Sequence, residues 1–140
     1  MSVVVDDVLL LRALARRPPP ELAGEPTATT GVWYFRLGQA LRPGGASGHL
    51  SRRIAALPLP QRSAVRAAFD ELPAGVGLLS LRRLVPVIRR LDPHGRLNLL
   101  AAEALAAAYV LEAGVVVTTD APLLQTACAE TGIPYRVLPL

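Results

Sequence analysis

Three acidic residues carry what chemistry this sequence offers. Glu103 lies inside Leu99-Leu100-Ala101-Ala102-Glu103-Ala104-Leu105-Ala106-Ala107-Ala108, a run that reads as a buried helix. A lone buried carboxylate is costly unless it is paired, protonated or bound to a cation. Asp6 follows Val3-Val4-Val5, and Asp120 follows Val115-Val116-Val117-Thr118-Thr119. Both aspartates therefore end strands. In open α/β folds the carboxyl edge of a parallel sheet is where ligands bind. Converging carboxylates repel, and a divalent cation is their natural counter-charge. Oxygen donors in small number suit Mg²⁺ or Mn²⁺. Such an ion activates water and stabilises charge on a phosphoryl group. A pair of ions about 3.5–4 Å apart would clamp an in-line displacement at phosphate.

Each acid also has a purely structural explanation. Asp6 or Asp7 can N-cap the helix that follows the first strand. Asp120 precedes Ala121-Pro122, a fair helix start. Glu103 can be bonded to a core hydroxyl or an arginine. On a helical wheel Leu99, Leu100, Ala106, Ala107 and Val110 fall within about 60° of Glu103, and Asn98, Tyr109 and Glu112 lie opposite. A solvated face therefore fits Glu112 and not Glu103.

The elements that must position these acids follow from periodicity and punctuation. Strands are expected over 2–6, 26–30, 76–80, 115–119 and 135–138. Helices are expected over 7–17, 31–41, 49–56, 60–72, 81–91, 98–113 and 121–131. Pro18-Pro19-Pro20 stops the first helix, Pro86 can kink the fifth, and Gly114 is placed as the C-cap of the sixth. Residues 42–48 and 92–95 are loops. Apolar strands alternating with helices imply an α/β fold, a central and mainly parallel sheet of four to five strands with helices on both faces. The 140 residues suffice for one domain with one core, over 1–140.

Composition narrows the class. Half the residues are apolar (51%), which excludes a disordered chain. No stretch is long enough to span a membrane without charge or proline. Asp6 and Asp7 interrupt the first apolar run, so no signal peptide is expected and a cytoplasmic location is the default. The single Cys128 permits no internal disulfide and reads as an inert buried thiol. All fifteen basic residues are arginine, and the net charge is +4. That excess is compatible with a nucleic-acid partner. Pairs of arginines on the first helix (Arg12, Arg16, Arg17), the middle ones (Arg52, Arg53, Arg62, Arg66) and the fifth (Arg82, Arg83, Arg89, Arg90) are candidate phosphate contacts. Trp33, Tyr34 and Phe35 are candidate stacking residues, with Trp33 the one expected in the core. His49 and His94 are too isolated for a metal motif or a triad.

Taken together, these segments resemble the PIN-domain ribonucleases, in particular the toxins of VapC-like toxin–antitoxin pairs. Val3-Val4-Val5-Asp6 with Leu9-Leu10-Leu11 resembles the family's opening strand and first aspartate. Glu103-Ala104, Leu111-Glu112-Ala113-Gly114 and Val117-Thr118-Thr119-Asp120 resemble its C-terminal signature. Gly132-Ile133-Pro134 and the strand after it resemble its ending. The resemblance implies a PIN-like three-layer α/β/α sandwich and Mg²⁺- or Mn²⁺-dependent hydrolysis of RNA. It implies Asp6, Glu103 and Asp120 as catalytic metal ligands, with Asp120 or Thr118 positioning water. It also implies an antitoxin protein and a homodimer as partners. Two departures stand out. Glutamate occupies position 103 where the family has aspartate. The family's acid on the helix after the second strand is absent, since no Asp or Glu occurs from Pro26 to Phe69. Arg36 and Gln39 occupy that neighbourhood, and Asp7 is expected to point away from Asp6. The alternative implication is an impaired PIN-like domain that binds RNA or a protein without cutting.

Overall fold

A computed structural model describes residues 2–44 and 48–140. The strands are β1 (Val3–Val5), β2 (Thr27–Thr30), β3 (Val76–Leu79), β4 (Gly114–Val117) and β5 (Tyr135–Val137). The helices are α1 (Asp7–Leu14), α2 (Gly31–Leu41), α3 (His49–Ala55), α4 (Leu59–Asp70), α5 (Leu81–Leu91), α6 (Leu99–Leu111) and α7 (Pro122–Thr131). A short 3₁₀ turn over Pro20–Leu22 was not foreseen from the proline run.

All five strands are parallel, in the order β3-β2-β1-β4-β5. The order places β1 at the centre. Its register pairs Val3 with both Thr27 and Gly114. Each parallel pair needs a crossover, and the helices supply it. The result is the α/β/α sandwich expected from strands alternating with helices.

Side-chain alternation divides the core between the two faces of the sheet. Val4, Val115 and Val117 pack with α5, α6 and α7. Val3, Val5 and Val116 pack with Leu9 and Leu22 on the other face. Beside them Leu10, Leu11 and Leu14 of α1 meet Leu37, Ile54 and Val65 from α2, α3 and α4. The β1 valines are at most 2% exposed. Burying each contributes up to about 1.5–3 kcal/mol, enough to make this strand the anchor of both layers. Trp33 is in the core, as its place among the three aromatics suggested, whereas Phe35 is exposed.

Two local expectations are corrected. The sixth helix is capped by Glu112, in the left-handed region with φ 51°, not by Gly114. Gly114 is instead the first residue of β4, and its N–H donates to the Ser2 carbonyl. The wheel also overstated the polarity of α6. Every residue from Ala101 to Ala108 is buried, while Leu99, on the wheel's apolar face, is half-exposed. Part of the loop expected over 42–48 lies outside the described residues. Among the described residues, no helix is long and apolar enough to cross a membrane.

Candidate functional site

A cavity of about 670 Å³ opens at the carboxyl edge of the sheet, where β1 and β4 end. Asp6, Asp7, Arg36, His49, Thr118 and Asp120 line it. The sequence placed Asp6 and Asp120 here, and the structure brings both to this one cavity. Glu103 is not part of the lining.

Asp6 is 6% exposed and fully engaged. Its Oδ1 accepts from the Leu9 N–H at 3.0 Å, which makes it the N-cap of α1. Its Oδ2 accepts from the Thr118 N–H at 2.6 Å and the Thr118 hydroxyl at 2.7 Å. One carboxylate thus starts a helix and ties the end of β1 to the end of β4.

Asp120 is exposed and is not the cap of α7, whose N-cap is Ala121. The Tyr135 hydroxyl donates to Asp120 Oδ1 at 3.0 Å and accepts from the Ala121 N–H at 2.9 Å. Burial pushes the Tyr135 phenol above its ordinary range, and the bond to Asp120 adds to this. So β5 positions Asp120 through a phenol, a contact that no spacing in the sequence announces.

Glu103 is completely buried, as expected, but its partner is unexpected. Its Oε1 accepts from the Val32 N–H at 2.9 Å. Val32 is in the first turn of α2, where backbone N–H groups lack helical partners. Thr30 holds the N-cap position but makes no side-chain cap, and its hydroxyl is buried without a partner. Glu103 therefore caps α2 from a different helix, with its carboxyl at the positive end of the α2 dipole. Residue 31 must be small for this: a Cβ there would stand 3.3 Å from Glu103 Oε2. Oε2 is itself buried without a hydrogen-bond partner.

Asp7 and Arg36 are the residues that sequence reasoning undervalued. Asp7 lines the same cavity as Asp6. Asp7 is 6% exposed and pairs with Arg36, Nε to Oδ2, at 3.1 Å. Burial raises its carboxyl above the usual range, Arg36 opposes the rise, and the charge on Asp6 adds to it. His49 is also committed, since Arg53 Nε donates to its Nε2 at 2.7 Å.

A metal ligated by Asp6, Glu103 and Asp120 does not fit these residues. Among the described residues no three His, Cys, Asp or Glu side chains are grouped so as to hold a metal ion. Asp6 already accepts from two backbone donors and a hydroxyl, Glu103 gives Oε1 to α2 and does not line the cavity, and Asp7 is paired with a guanidinium. What the cavity offers is a polar crevice with acidic walls and one fixed cation. No protein-family model matches the chain, and no curated protein matches it.

Proposed function

We propose that this chain is a PIN-like domain that binds RNA without a metal centre of its own and without cutting the strand. The observation that carries the reading is the bond from Val32 N–H to Glu103 Oε1, which commits one of the three expected acids to capping a helix. The acidic cavity repels phosphate, so RNA affinity must come from elsewhere. α5 supplies it. Arg82, Arg83, Arg89 and Arg90 are all exposed, α5 contains no acid, and none of the four has an ion-pair partner among the described residues. Seven-residue spacing stacks Arg82 under Arg89 and Arg83 under Arg90, about 10.5 Å apart along the axis. Four such guanidinium groups on one helix suit the phosphates of a single strand.

A second reading is favoured by a specific observation: Asp6, Asp7 and Asp120 line one cavity. If a divalent ion displaces Arg36, the three would serve a metal-dependent ribonuclease, which the resemblance implies to be a toxin held by an antitoxin. One experiment separates the two. Fluorescence anisotropy with a labelled single-stranded RNA is run alongside gel analysis of the same RNA with Mg²⁺ or Mn²⁺. The proposal expects salt-sensitive binding and intact RNA. Mn²⁺-dependent cleavage that disappears in Asp6→Ala and Asp120→Ala would install the nuclease instead. No binding at low salt would remove RNA as the ligand.

A further inference from the structure

We infer that the Arg36 guanidinium is a tethered counter-cation for the Asp6–Asp7 carboxylates, and that it keeps divalent cations out of the crevice. This rests on one part of the reading above, the lack of a metal centre, and is independent of RNA binding.

Asp6 and Asp7, each 6% exposed, are adjacent at the start of α1. Two buried like charges in one wall need a compensating cation. Asp6 is offset by three hydrogen-bond donors, whereas at Asp7 the Arg36 guanidinium favours the charged form more than the backbone N–H groups of Val8 and Asp7 do. Arg36 reaches it from α2 at 3.1 Å. Its own element offers no competitor, since no Asp or Glu occurs from Pro26 to Phe69. Guanidinium does not deprotonate in proteins, so the pair persists wherever Asp7 is ionised.

A tethered cation has a further advantage over a free one. It needs no concentration in solution and sheds little hydration, whereas Mg²⁺ dehydrates reluctantly and demands near-octahedral oxygen geometry. To enter, a divalent ion must break the Arg36–Asp7 pair and compete with the Leu9 and Thr118 donors for Asp6. The Arg36 side chain is 55% exposed and that of Asp7 is 9% exposed, so the guanidinium keeps one face in water and covers the buried carboxylate with the other.

The test is Mn²⁺ titration by calorimetry, with Mn²⁺ alone as the probe. Wild-type protein is expected to bind no tighter than about 1 mM. Arg36→Gln is expected to bind at least about tenfold tighter, and Arg36→Gln with Asp7→Asn should fall back to the wild-type level. Wild-type binding in the low micromolar range, or equal affinity in Arg36→Gln, would overturn the inference. Backbone-amide NMR of the wild type supplies an arm that needs no variant. Stoichiometric Mn²⁺ should leave the amides of Asp6, Asp7 and Val8 sharp, and selective broadening there would refute exclusion. RNA anisotropy on the same samples keeps the two ideas apart: RNA binding can fail while Mn²⁺ exclusion holds, and the reverse.

Discussion

At the scale of single residues, Glu103 is best described as a helix cap donated from outside the helix. Glu103→Ala removes a charge-assisted bond to a backbone N–H and leaves a small void, so it should cost about 2–4 kcal/mol. Glu103→Gln keeps the acceptor and should cost less than half of that, as read by denaturant unfolding. A pure metal ligand would give the opposite pattern, with little loss of stability from either. Asp6→Ala loses a cap and two bonds to Thr118 at once, for about 2–3 kcal/mol. Asp7 sets a pH dependence with a defined sign. Its folded carboxyl lies above 3.8, so the folded state holds its proton longer than the unfolded chain does. Stability is therefore greatest below the unfolded value and falls as pH rises through the raised folded one. Unfolding curves across that window should show the decline in wild type and its absence in Asp7→Asn. Cys128 is buried, and burial lifts its thiol to about 11. Native protein should resist alkylation at neutral pH and react fully once unfolded.

Among the elements, α6 and α5 have opposite characters, and each explains what was legible. α6 is apolar nearly all round, and its middle is buried on every side. A wheel drawn for a half-buried helix therefore finds a face where none exists, although it rightly flags Glu103 as misplaced. α5 is amphipathic, so its limits, Leu81 to Leu91, follow from pattern alone, and the helix runs through Pro86. The four arginines there are expected to act together on RNA. Each Arg→Ala change at 82, 83, 89 or 90 should flatten the slope of log affinity against log salt by about 0.7, the value for one single-strand phosphate contact. Anisotropy at several salt concentrations measures this, and an unchanged slope would move the interface off α5. The cap of α2 illustrates what stayed hidden. Thr30 holds the N-cap position, yet the acceptor comes from residue 103, a pairing that the packing of α6 against α2 creates.

For the molecule as a whole, the fold was legible because short apolar or β-branched runs and proline punctuation mark strands and crossovers independently of their partners. The site was less so. Asp6 and Asp120 reach one cavity because both end strands of a single parallel sheet, which alternation already implied. Asp7 and Arg36 were missed as partners because they lie on different helices, α1 and α2, and only the packing of those two helices brings them together. The Asp120–Tyr135 bond depends likewise on β5 lying beside β4.

The central position of β1 has a consequence for the order in which the sheet is completed. The first strand made pairs on one side with β2, close in sequence, but its other side waits for residues 114–117. While the chain is synthesised from its N-terminus, three valines therefore present an open parallel edge until most of the chain has been made. A chain ended after Ala113 keeps that edge bare for good, and should pellet in sedimentation to a greater extent than the 140-residue chain. The strand that anchors both layers of the finished protein is thus the chain's main hazard during its making, and β4 is the segment that removes it.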